Sequence, residues 1–182
     1  MRTYTIILFL TLYSIANTLK AQQFTEYELK SAYLFNFAKF IDFPENTFSS
    51  ARDPFLIGVI GNEAFLDVLQ TVIKGKTING RNIIAINITQ TEDIQNCQIV
   101  YFSKTTRSQT LMFLEFLNGK PVVSVGDNIE DFCQSGGIIN FTPQNSVKRF
   151  EINPNAAQRA KLNISSKLLA LARIVTDVEV KF

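Results

Sequence analysis

The segment FLIGVIGNEAFLDVLQTVI, residues 55–73, changes its periodicity partway along. FLIGVIG (55–61) is a continuous apolar run with glycine at its end, the composition of a strand buried on both faces. NEAFLDVLQTVI (62–73) then has apolar residues at helical spacing behind an asparagine that caps the first turn. A buried strand that feeds a helix calls for a right-handed crossover to a parallel neighbour. The alternation continues downstream. KGKTINGRN is a turn-rich connector to a strand at Ile83 to Ile88, and QIVYFS (98–103) is another buried strand. TRSQTLMFLEFLNG (106–119) is an amphipathic helix stopped by Asn118-Gly119, and PVVSVGD (121–127) is strand again. GGIINFT (136–142) and VKRFEIN (147–153) flank Pro143-Gln144-Asn145-Ser146 and read as an antiparallel hairpin. The expected fold is a three-layer α/β domain over residues 22–182. Its sheet is mostly parallel with a C-terminal antiparallel hairpin, and helices flank it.

Upstream, Thr25 to Ile41 reads as a helix, with Thr25 and Glu28 spaced as a capping box. Tyr27, Leu34, Phe37, Ala38 and Ile41 share one face, while Tyr33, Phe35 and Phe40 make the other faces aromatic too. Such a helix is buried on more than one side, either within its own domain or against a second copy. Downstream, Phe150 and Ile152 point to the core, and Arg149, Glu151 and Asn153 point the other way. Those three polar groups form an exposed ladder, a structural Arg–Glu pair, or one wall of a binding site. Asn153-Pro154 is a helix start, with Asn155 to Lys161 a short helix. Asn163 or Ser165 caps a last helix whose stripe of Ile164, Leu168, Leu171 and Val175 closes a face of the sheet.

Residues 1–21 stand apart. Arg2, a compact apolar run from Tyr4 to Ala16, and Leu19-Lys20-Ala21 before Gln22 have the layout of a secretory signal peptide. The run is short for a membrane span, which needs about twenty apolar residues. The full chain has 18 basic and 16 acidic residues, so removing Arg2 and Lys20 leaves 16 of each. A neutral domain without a Lys/Arg run is a poor partner for nucleic acid. Export places Cys97 and Cys133 in an oxidising compartment, where they form a disulfide or stand as two small buried hydrophobes. No histidine is present, so a zinc site is not expected and the usual base of a nucleophilic dyad is missing. GKT at 75–77 fails as a phosphate loop because Gln70 stands where that motif needs glycine. No cofactor and no catalytic residue is expected.

Ligands of open α/β sheets bind beyond the carboxyl ends of the parallel strands. Those ends carry Gly61-Asn62, Ser103-Lys104-Thr105 and Gly126-Asp127-Asn128. Asn62 and Lys104 supply donors, Ser103 a hydroxyl and Asp127 an acceptor. Each alone reads as a turn or cap residue, and their shared edge makes them candidate ligand or partner contacts. Arg149 and Glu151 are the other candidates.

Seven segments in order resemble the YfiR-like family of small exported bacterial proteins. They are YLFNFAKFIDFP (33–44), FLIGVIGN (55–62), GRNI (80–83), CQIVYFS (97–103), PVVSVGD (121–127), GGIINF (136–141) and KRFEINPNAAQRAKLNISSKLLALARIV (148–175). The resemblance implies a periplasmic regulator without enzymatic activity. Such a protein holds a membrane-bound diguanylate cyclase inactive by binding its periplasmic sensor region. It implies a homodimer, tuned by redox state and small ligands. Cysteine-richer relatives carry a further cysteine where this chain has Asn140, and Cys97 and Cys133 match family cysteines of different bridges. The alternative reading is a periplasmic small-molecule-binding accessory protein of an uptake or sensory system.

Overall fold

The computed structural model describes residues 25–143 and 146–177. The expected leader, 1–21, and Gln144-Asn145 of the hairpin turn lie outside them. Helix α1 (residues 25–40) runs into the short strand β1 (Ile41–Asp42). Then come β2 (Phe55–Ile60), α2 (Glu63–Ile73), β3 (Thr77–Ile78), β4 (Arg81–Asn87), β5 (Ile99–Phe102), α3 (Arg107–Leu117) and β6 (Val123–Asp127). After these come β7 (Ile139–Phe141), β8 (Phe150–Ile152), α4 (Pro154–Arg159), β9 (Asn163–Ile164), α5 (Ser166–Leu171) and β10 (Arg173–Ile174). Among the described residues eight strands form one sheet in the order β10-β8-β7-β6-β5-β2-β4-β3, and β1 pairs with β9 in a second. The run β4-β2-β5-β6-β7 is parallel, while β7 and β8 are the expected antiparallel pair, with Asn140 opposite Glu151.

The alternation of side chains in β2 and β5 divides the core into two. Ile57, Val59, Ile99 and Tyr101 face α1 and α2, whereas Ile60, Val100 and Phe102 face α3 and the β6–β7 loop. The aromatic surplus of α1 goes mostly inward. Phe37 lies 5.1 Å from Phe150 and Tyr33 5.6 Å from it, centroid to centroid, so its own domain covers that flank. Phe35 is capped instead by the ammonium groups of Lys39 and Lys76, and Phe40 is exposed.

Two expectations for the C-terminal part are corrected. The last helix is only Ser166–Leu171, capped by Ser165, whose hydroxyl accepts from the Leu168 amide. Leu168 is buried, but Leu171 is exposed, because the chain leaves the helix to add β10 parallel to β8. The Val175 amide continues that pairing to the Ile152 carbonyl, where β-branched residues suit an extended edge. Nor do Arg149, Glu151 and Asn153 form an exposed ladder. Arg149 is exposed, but Glu151 is 5% and Asn153 0% exposed. Asn153 caps α4 through its Oδ1 and donates from Nδ2 to the Cys133 carbonyl and to Asp177.

Cys97 and Cys133 are free, buried thiols. Cys97 packs on Gly58 of β2, and the Cys133 sulfur lies 3.9 Å from the Glu151 carbonyl of β8. Four strand steps separate β2 from β8, on the order of 19 Å at about 4.8 Å per step, whereas bridged Cα atoms lie about 6 Å apart. Burial, with Asp93 nearby, pushes the Cys97 thiol up to about 12. Burial, with Glu151 nearby, raises Cys133 as well. No helix among the described residues is long and apolar enough to cross a membrane.

Two outcomes follow. A thiol reagent at neutral pH should leave both cysteines of the native protein unmodified and label both in urea, since only the thiolate reacts. Gly137→Ala places a methyl 2.3 Å from the Phe132 ring and 2.7 Å from its carbonyl oxygen. It should lower stability by about 1–3 kcal/mol in urea titrations.

Candidate functional site

At the carboxyl ends of the parallel strands, polar groups meet in one seam. Gly61 brings two strand ends together: at φ 78° it lies so close to β5 that a Cβ would sit 2.1 Å from the Ser103 carbonyl oxygen. Asn62 follows. Its Oδ1 caps α2 by accepting from the Phe65 amide, and its Nδ2 donates to the Ser103 hydroxyl and the Tyr27 hydroxyl, both at 3.3 Å. The Ser103 hydroxyl donates in turn to Asp127 Oδ2 at 3.2 Å. Lys30 of α1 donates to Asp127 Oδ1 at 2.6 Å and pairs with Glu26 one helical turn back. The chain Tyr27–Asn62–Ser103–Asp127–Lys30–Glu26 therefore stitches the first helix to β2, β5 and β6.

Underneath lies Tyr101, fully buried and stacked on Phe65 at 4.1 Å. Its hydroxyl has no hydrogen-bond partner among the described residues. Burial and the Asp127 carboxylate hold its phenol well above the usual range. For Lys30, burial opposes the charge, but hydrogen bonds and attraction from Asp127 and Glu26 outweigh it and raise the ammonium above its ordinary value.

The order of strands reverses direction between β2 and β5, the place where open α/β sheets hold ligands. Here α1 lays Tyr27 and Lys30 across that crevice and fills it from within. Of the four residues expected along this edge, Asn62, Ser103 and Asp127 come together. Lys104 stays outside this hydrogen-bonded chain: at φ 53° it is exposed, and it lines a hollow beside α3 together with Asp127. The α1 members were missed by sequence reading. Their only local signal is a lysine inside a helix otherwise crowded with apolar and aromatic side chains.

Arg149 and Glu151 do not share a site. Glu151 lies on the α3 side of the sheet, where it takes the guanidinium of Arg173 and accepts from Asn140 Nδ2 at 3.3 Å. Asn140 also accepts from the Ile129 amide at 3.1 Å and donates to the Ile129 carbonyl at 2.8 Å, which fixes the loop after β6. Only glycine fits beside it at 126, where a Cβ would lie 2.6 Å from Asn140 Oδ1. Arg149 is exposed at the mouth of a cleft next to α1.

The ion pair is testable. Lys30 and Asp127 are 14% and 13% exposed at their side chains, so Lys30→Met should cost about 2 kcal/mol, less than for a fully buried pair. With Asp127→Asn the effects should be non-additive by about 1 kcal/mol. The Lys30 value is raised on folding from 10.5, so the stabilisation is complete below that pH and is lost as pH rises through the folded value. The difference between wild type and Lys30→Met should hold constant from about pH 7 to 9 and shrink above that.

No curated protein matches this chain. The sequence profile of YfiR/HmsC-like proteins matches residues 27–173, beginning at Tyr27 of the seam and ending at Arg173, the partner of Glu151. The chain belongs to the YfiR/HmsC-like family.

Proposed function

We propose that the protein is an exported, periplasmic regulatory binding protein that restrains a membrane signalling protein of the diguanylate cyclase type. It does so by gripping that protein's periplasmic sensor region. The observation that carries this reading is family membership over residues 27–173, nearly all of the domain. The seam supports it physically. Its polar groups bond to one another and tie α1 to the sheet, an arrangement that shapes a surface. Within this reading the exposed side chains Lys104, Arg149 and Arg173 meet the partner. Asn62, Ser103, Asp127 and Glu151 act indirectly, by holding α1 and Arg173 in place. The protein works as a homodimer, which sedimentation at micromolar concentration checks.

Deleting the gene should raise cellular cyclic di-GMP. A copy carrying residues 1–182 should restore the basal level, and a copy lacking 1–21 should not. The full-length protein should also co-purify with an inner-membrane protein that bears a periplasmic region. Unchanged cyclic di-GMP on deletion, together with no membrane partner, overturns the reading. The open cleft beside α1 favours a second one, a periplasmic small-molecule-binding accessory protein. That reading requires thermal stabilisation by a metabolite with no partner present.

A further inference from the structure

The two edges of the main sheet differ. At one edge, β10 carries Arg173, whose guanidinium is held by Glu151. At the other, β4 has seven residues, RNIIAIN, and β3 pairs only with Arg81 and Asn82. Among the described residues, residues 83–87 therefore have β2 on one side and no strand on the other. None of them is charged. Arg81 does not guard this stretch. Its guanidinium stacks 3.8 Å from the centre of the Phe48 ring and donates to the Ser50 and Asp53 carbonyls. Lys76, just before β3, lies over the Phe35 ring of α1.

The direction of the main-chain groups follows from the register. The Ile88 amide donates to the Val59 carbonyl of β2, so even-numbered residues of this stretch direct their amides and carbonyls into the sheet. Ile83, Ala85 and Asn87 direct theirs outward. The Ala85 carbonyl shows it: the side-chain amide of Gln70 on α2 donates to it at 3.1 Å, where a neighbouring strand would place a backbone amide. Side chains alternate as well. Ala85 is buried beneath α2, whereas Ile84 and Ile86 face the α3 side, Ile84 at 45% exposure and Ile86 half-buried. An uncharged, β-branched strand with outward main-chain groups is a template for a further strand.

That template is its own complement. Let two copies pair antiparallel about a two-fold axis at Ile86. Ala85 of each copy then exchanges amide–carbonyl bonds with Asn87 of the other, about four bonds in all. Ile86 faces Ile86 and Ile84 faces Ile88, so isoleucine meets isoleucine along that face and no like charges are opposed. Because β3 pairs no further than Asn82, it leaves this register clear. We infer that the open edge of β4, residues 84–88, is the interface between two copies of this chain, which joins their sheets edge to edge. The inference rests on the homodimer reading given above and assigns that dimer its surface. The contact is isologous, so it closes at two copies.

Sedimentation from about 1 to 100 μM, with disulfide trapping, tests it. Ile84→Lys changes an exposed side chain and should weaken self-association about tenfold or more, with the circular dichroism spectrum unchanged. Asn87→Pro removes an outward amide that β2 does not use and should do the same. Ile86→Cys should form a disulfide-linked dimer under mild oxidation, since the two Cβ atoms face each other across the axis. Ile174→Cys, on the β10 rim, should not. A dimer that survives Ile84→Lys and Asn87→Pro, or that gives no Cys link at position 86, overturns the inference and leaves the homodimer reading standing. A wild type that is monomeric at about 100 μM overturns both. If that monomer loses its membrane partner on Ile84→Lys, the edge belongs to the partner protein and the second copy is ruled out as its occupant.

Discussion

A lysine ammonium enclosed by an aromatic helix needs counter-charges, and that requirement organises the molecule. Lys30 finds Asp127 at the end of β6, and Asp127 in turn holds Ser103, which holds Asn62. Without that chain α1 would rest on the sheet by apolar contact alone, which is non-directional and leaves sliding and rotation weakly opposed. With it, one helix register is selected. The aromatic cluster of Tyr33, Phe37, Phe141 and Phe150 then packs in one arrangement. Hydrophobic burial supplies most of the attraction, and the ionic seam chooses the position.

That division of labour explains what was legible beforehand. The parallel strands, their order of alternation with helices, and the terminal hairpin follow from local periodicity and turn chemistry. FLIGVIGN announces both a strand and a cap. The shared edge of Asn62, Ser103 and Asp127 was also legible, because topology alone brings strand ends together. The contribution of α1 was not, since Lys30 and Asp127 are 97 residues apart and nothing local links them. Lys104 was legible in part. It lines the same end of the sheet as Asp127, but it is exposed and stands outside the hydrogen-bonded chain. The C-terminal stripe misled because Ile164, Leu168, Leu171 and Val175 are spaced as in one helix, whereas the helix holds only Leu168 and Leu171. Ile164 lies in β9, and past Leu171 the chain pairs with β8 as β10, with Val175 just beyond that strand.

Asn140 and Glu151 form a buried polar corner, and there the asparagine fastens the loop at Ile129 with a reciprocal pair of hydrogen bonds. Each such bond contributes about 1 kcal/mol net, so the pair does by geometry part of what a covalent bridge does by connectivity. Cys133 packs beside this corner as a buried thiol, and its burial, with Glu151 nearby, opposes loss of its proton.

Among the described residues the two-residue strand β10 is the last of the sheet on this side, flanked by the exposed Ile174. An apolar rim of that kind suits pairing with another extended chain. Arg173 stands at this rim with its guanidinium moored on Glu151, and a fixed positive charge there discourages a neighbouring molecule from zipping on. The buried carboxylate thus fixes a positive charge at the rim, and a charge at a strand edge opposes edge-to-edge pairing.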